Sequence, residues 1–454
     1  MIEPKRILAA AAATAALIAS LLGNPAETAA QQRSYISDAE IENTIREMAT
    51  PLFVAAGLEP SAIRIILIRD ETINAFVAGG QNLFIHTGLI TKARTPNQLI
   101  GVLAHEIGHI SGGHIARTED AIRDATTQTI ITTVLGAAAA LASGRGDVGA
   151  AIISGGSQLG IRGFLQYSRT QESAADQAAL KFLEGTGQSA IGFLELLETL
   201  GDQELLSPNR QAVYARTHPL AIERIRMVRL HVEKSKFTQT PTQAALVERH
   251  QRMRAKLDGF LNSPTRTLTE YKDTDTRTPA RYARAIALFR IPQLDAALAQ
   301  IDSLIAERPD DAYFYELKGQ MLFENGRVAE AIEPYEASVR LSPDAYLLRL
   351  GLARAQIESQ DPELLDPAIQ NLRSAIAINR DSPFLWRQLA IAYGRGGQTG
   401  LSSLAMAEEA LLRRQKREAL FYAGRAEREL PRGSPGWTQA QDVLRSADEI
   451  KDKN

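Results

Sequence analysis

His105-Glu106-Ile107-Gly108-His109 sets two imidazoles four residues apart, with a carboxylate beside the first. Residues at that spacing share one face of a helix, so both rings can aim at one point. Two neutral imidazoles suit Zn²⁺, and a hydrolytic zinc site takes three protein ligands and leaves a fourth position open. His105 and His109 are therefore candidate metal ligands, and Glu106 stands where a general base belongs.

The third ligand is sought downstream. Glu172-Ser173-Ala174-Ala175-Asp176 repeats the four-residue spacing with two carboxylates. Glu is a standard zinc ligand, and a carboxylate one turn on can accept the outer N–H of a ligand imidazole. Alone, such an acidic pair reads as a solvated face; alongside H-E-x-x-H, Glu172 is expected as ligand and Asp176 as its support. Thr217-His218-Pro219 is the last chemical feature. Pro219 biases His218 toward extended backbone, as suits a histidine held on a loop. Three roles stay open for His218: stabilising an oxyanion, binding the open metal position and shutting the site, or lying exposed.

The remaining four of the seven histidines have duller readings. His86 reads as a strand surface residue. His114 lies about 140° around a continuous helix from His109 and reads as structural or exposed. His231 and His250 stand among charges and read as surface residues. Cysteine is absent, so no thiol ligand or nucleophile is available.

Positioning elements follow from periodicity. Leu99, Ile100, Leu103, Ile107 and Ile110 give the metal-site helix an apolar face, and Pro96-Asn97 marks its start. Residues 37–56 read as an amphipathic helix that Pro51 ends or kinks, with Ser37 or Asp38 as cap. Ile63–Ile68 and Asn82–Thr87 read as strands, the second after a turn at Gly79-Gly80. A strand beside such a site can pair its free edge with an extended peptide. A helix is expected from Arg169 to about Gly185. Between Thr118 and Arg169, the apolar run Ile130–Ala142 is too short to span a bilayer. It reads as buried helix, or as a hairpin that covers the cleft or makes peripheral membrane contact.

The motifs at 105–109, 172–176 and 217–219, with Asn74–Gly80 (NAFVAGG), resemble those of zinc metallopeptidases that include the HtpX heat-shock proteases and the CAAX prenyl endopeptidases. The resemblance covers roughly Ile36 to Leu230. It implies one Zn²⁺ per chain held by His105, His109 and Glu172. It further implies Glu106 as general base and a supporting or proton-donating role for Asp176.

The chain of 454 residues exceeds one core, so several domains are expected. Its formal charge of −2 argues against nucleic acid as a partner. Lys5-Arg6, the uncharged run Ile7–Gly23 and Thr28-Ala29-Ala30 read as a signal peptide over 1–30, with a retained anchor as the other possibility. Export without cysteine suits a bacterial periplasm. The peptidase domain is expected over 31–232 and a charged helical connector over 233–279.

From 280 to 454 a repeat emerges. Ala297 and Ala331 lie one tetratricopeptide period apart, about 34 residues, and Ala368 and Ala405 follow slightly late. Three to four repeats and a capping helix are expected. Tyr313, Tyr315, Tyr346, Phe384 and Trp386 either line a groove or fill the inter-helix core. The fold class is thus mainly α: a zincin-like domain with a small β-sheet, then an α-solenoid. An exported peptidase of this family with such repeats resembles bacterial proteases that oversee outer-membrane proteins. That implies protein substrates, chaperone-like help in assembly, and contact between the repeats and the barrel-assembly machinery. The alternative is a chaperone or scaffold whose peptidase site is autoinhibited.

Overall fold

The computed structural model describes residues 35–114, 169–204 and 222–450, together with Tyr214 and His218. The signal-peptide reading of 1–30 and the readings of the 118–168 insert lie outside the described residues.

The N-terminal part packs helices on one face of a small sheet. Strand β1 (Tyr35–Ile36) leads into helix α1 (Ala39–Ala55). Asp38 caps α1 by accepting the Ile41 N–H, and Glu42 accepts the Asp38 N–H in return. The helix runs through Pro51, which lies on its exposed side. Strands β2 (Arg64–Ile68), β3 (Ala75–Ala78) and β4 (Asn82–His86) complete a sheet of order β1-β2-β4-β3. β2 and β4 are parallel; β1 on β2 and β3 on β4 are antiparallel. Among the described residues β3 therefore stands at one end of the sheet.

Helix α2 (Thr87–Lys92) follows, and then α3 (Pro96–Ser111) carries the H-E-x-x-H residues. Proline suits the first turn of α3 because its missing N–H would have had no helical partner. Leu99, Leu103 and Ile107 are fully buried, each contributing about 1.5–3 kcal/mol. They join one core with Ile45 and Leu52 of α1 and Leu83 and Ile85 of β4. That core takes in α4 (residues 169–185) and α5 (Ile191–Glu204) as well. Helix α6 (Ile222–Lys234) closes the site region.

Helix α7 (Ala244–Leu261) joins the two halves, followed by α8 (Pro264–Glu270). The remaining helices pair as α9 (Thr278–Phe289) with α10 (Leu294–Glu307), α11 (Ala312–Glu324) with α12 (Val328–Leu341), and α13 (Tyr346–Glu358) with α14 (Leu365–Ile378). α15 (Pro383–Arg395) pairs with α16 (Thr399–Leu412), and α17 (Lys416–Glu429) with α18 (Pro435–Asp448). The fifth pair stands where a single capping helix was expected. Its buried alanines, Ala419, Ala423, Ala426, Ala440 and Ala447, allow close helix approach without the larger apolar signature of the earlier repeats. Ala297, Ala331, Ala368 and Ala405 are buried where the hairpins close.

The repeats do not stand apart from the peptidase domain. Lys256 of α7 reaches Asp38 (2.8 Å), Glu40 (3.3 Å) and Glu316 (3.3 Å), while Arg252 pairs with Glu40 (2.6 Å) and Asp311. Tyr282 donates to Glu40 at 2.9 Å and Asn43 to Tyr313 at 3.0 Å. Tyr346 and Phe384 line a cavity of about 620 Å³ against β1 and α1, whereas Trp386 is buried in the repeat core. These charges are buried but mutually paired, which is what makes their burial tolerable.

Candidate metal centre

Two helices converge on the site. Gly108, inside the H-E-x-x-H stretch, faces α4: a Cβ there would stand 2.7 Å from the Ala175 carbonyl oxygen. The absent side chain lets the two backbones close up, so His105 and His109 meet Glu172 and Asp176.

The result is a buried cluster. His105 Nε2 lies 3.1 Å from His109 Nε2 and 3.3 Å from Glu172 Oε2. His109 Nε2 lies 3.4 Å from Glu172 Oε1. His218 Nδ1 stands 3.3 Å from His105 Nε2 and 3.2 Å from each Glu172 oxygen. One ligand atom from each of these four residues falls within 4.8 Å of all the others.

These spacings fit a cation. Ligands at about 2.0–2.1 Å from a tetrahedral zinc stand roughly 3.3–3.4 Å apart. His105 presents Nδ1 to Asp176 Oδ1 at 2.8 Å, so the proton of its neutral form sits there and Nε2 offers only a lone pair. That lone pair faces a second imidazole nitrogen and a carboxylate.

Glu106 is fully buried beside the cluster. Neither of its carboxylate oxygens has a hydrogen-bond partner among the described residues, although His218 Nε2 lies 3.4 Å from Oε1. Burial pushes its pKa up, with His218 pulling the other way. Burial opposes charge on His105 too, but its contacts with Asp176 and Glu172 raise its pKa to about 9. Burial lowers that of His109 to about 4, with Glu172 opposing. For Glu172 burial favours the neutral form, but His105, His109 and His218 hold the carboxyl well below the usual range.

All six candidate site residues therefore lie together: His105, Glu106, His109, Glu172, Asp176 and His218. Three neighbours had no reading as site residues. Arg224 of α6 engages Asp176 and also reaches Glu172 Oε2 at 2.8 Å. Tyr214 stacks on His218, ring centres 4.5 Å apart, and its N–H donates to the Ile73 carbonyl just before β3. His114, read as structural or exposed, is buried with Nδ1 3.1 Å from His109 Nδ1.

Two other histidine readings change. His86 is buried at the end of β4, its Nδ1 2.9 Å from the Thr72 hydroxyl. His250 is buried rather than on the surface, because α7 packs between the two halves of the protein. His231 is half-buried and lies 3.4 Å from Glu184.

Residues 36–231 match the model of peptidase family M48, and residues 282–346 match a tetratricopeptide repeat model. The beta-barrel assembly-enhancing protease of Yersinia pestis is 24% identical over 88% of this chain and 82% of its own length. The protein of the same name from Escherichia coli K12 is 26% identical, over 79% of this chain and 72% of its own. Among solved structures, MamA aligns with 37% of this chain and 93% of its own at 17% identity and a TM-score of 0.28.

Proposed function

From a chain that carries an M48-family metallopeptidase domain ahead of tetratricopeptide repeats, we propose a periplasmic zinc endopeptidase. Its substrates are misfolded or stalled outer-membrane proteins, and the repeats bind substrate or the barrel-assembly machinery. The observation that carries the catalytic reading is the buried four-residue cluster beside Glu106, whose carboxylate makes no hydrogen bond among the described residues. The location and substrates rest on the signal-like N-terminus and on the relatives' name. The working division is a signal peptide over 1–30, peptidase 31–232, connector 233–279 and repeats 280–454.

His105, His109 and Glu172 would hold the ion. When bound, zinc would polarise the scissile carbonyl and acidify water. Glu106, buried beside the cluster with no hydrogen bond to either carboxylate oxygen among the described residues, takes the proton from the attacking water and passes it toward the leaving amine. Asp176 fixes His105 with its lone pair turned inward.

The test pairs two variants. Glu106→Gln keeps shape and zinc content but should lower cleavage of an unfolded outer-membrane protein by about 10²–10⁴-fold. Glu172→Ala should lose the metal. Retained cleavage in the first would overturn the general base, and full zinc content in the second would overturn the third ligand.

A second reading is favoured by one contact set. His218 reaches the ligand atoms with Nδ1 and approaches Glu106 with Nε2. A ring in that place would fill the coordination position that an attacking water needs, and the protein would then act chiefly as a chaperone or scaffold with its peptidase shut.

A further inference from the structure

His105 and His109 turn their Nε2 atoms toward each other, and each turns Nδ1 toward a different partner. For His105 that partner is the Asp176 carboxylate. For His109 it is the Nδ1 of His114, at 3.1 Å, with the ring planes at 82° and their centres 5.0 Å apart. Both rings are buried, His109 at 8% and His114 at 6% exposure, so water is a poor substitute for either partner.

The chain builds this contact on purpose-suited backbone. α3 ends at Ser111, and Gly113 takes a left-handed φ of +63°. That reversal breaks the helical spiral and folds His114 back over the last turn. Its ring then rests on Gly112, where a Cβ would meet His114 Nε2 at 2.5 Å. Gln171, one residue before the candidate ligand Glu172, donates to the His114 carbonyl at 3.3 Å.

We propose that His114 is a positioning residue for the metal centre. Its Nδ1 accepts the Nδ1–H of His109 and thereby keeps the Nε2 lone pair of His109 turned to the ion. This rests on the metal-site reading above. The tautomers are then determined in sequence. A neutral imidazole has one proton; on His109 it must sit at Nδ1 if Nε2 is to bind metal, so His114 must carry its own on Nε2. The reverse arrangement, with His114 donating, would put a proton on His109 Nε2 and abolish its ligation. The two imidazole ligands thus have unequal supports: an anion behind His105, a neutral ring behind His109.

Zn²⁺ affinity of the full-length chain, measured by competition with a chelating dye, separates this from simple packing. His114→Phe keeps the ring but has no acceptor. His114→Asn loses ring volume but keeps an acceptor oxygen near the Nδ1 position. Gly112→Ala suits the local backbone, φ −75°, yet pushes the His114 ring away. Phe and Gly112→Ala should each weaken Zn²⁺ binding by about 10–100-fold, with Asn close to wild type. Wild-type affinity in the Phe variant, or a larger loss with Asn than with Phe, would overturn the proposal. If Phe prevents folding, Gly112→Ala decides, and unchanged affinity there overturns it. A wild-type chain that takes up no Zn²⁺ would remove the metal-site reading and this inference with it; equal binding by wild type and all variants removes this inference alone.

Discussion

Arg224 closes a two-pronged contact on Asp176, Nε to Oδ2 at 2.6 Å and Nη2 to Oδ1 at 2.9 Å, with both side chains buried. Burial alone would favour a protonated Asp176, but the guanidinium and then His105 hold its pKa below the ordinary value. Asp176 thus stays an anion and can accept the outer N–H of His105. The chain of contacts runs from α6 through Asp176 to His105, and Arg224 adds a second contact to Glu172 at 2.8 Å.

Replacing Arg224 with Met leaves that anion buried without its guanidinium partner and with only the His105 ring beside it. A stability loss of about 3–5 kcal/mol is expected, together with weakened metal binding. Arg224→Lys restores the charge but not the planar fork, so recovery should be partial. Urea unfolding with metal chelated reads the first effect and zinc content the second. A Met variant as stable as wild type would show that Asp176 does not depend on the pair.

The candidate ligands were legible because local spacing encodes them. His105 and His109, then Glu172 and Asp176, each lie one helical turn apart, and a turn is a property of sequence alone. Arg224 was not legible. In Ile222–Lys234 it is one of three arginines, with Arg226 and Arg229, and only contact with α4 distinguishes it. The place of His114 is not legible either: a continuous helix would carry it about 140° around from His109, and the left-handed turn at Gly113 undoes that geometry. His250 has charged neighbours along the chain, but the helix carrying it packs between two domains. The docking of α1 on the repeats depends on the meeting of Glu40, Lys256 and Glu316, three segments whose separation no periodicity reports.

His218 separates the two functional readings by the sign of one change. If its Nδ1 fills the fourth position in a resting state, His218→Ala should raise cleavage of an unfolded substrate several-fold and leave zinc bound by the other three residues. If its ring instead stabilises the oxyanion, the same variant should fall by about 10²–10³-fold, as loss of one such donor does. Initial rates at matched zinc occupancy distinguish the outcomes, and a fall would sink the autoinhibited reading.

His250 gives a pH prediction independent of the metal. Its ring is fully buried, and neither nitrogen has a hydrogen-bond partner among the described residues. Burial, and then the charge of Arg254, lower its pKa from 6.5 to about 4. Between those values the unfolded chain binds a proton that the folded protein refuses. The contribution of His250 is therefore intact above pH 6.5 and declines as pH falls toward 4, by about 1.4 kcal/mol per unit. Glu42 and Glu316 act in the opposite direction. Burial raises both to about 7, so folding takes up protons there as pH falls and gains stability. The raw pH curve of the wild type mixes these effects; the difference between His250→Leu and wild type isolates one. Urea unfolding at pH 7 and pH 5 should show the variant losing less stability on acidification, and parallel losses would place the ring in contact with a charge partner or water.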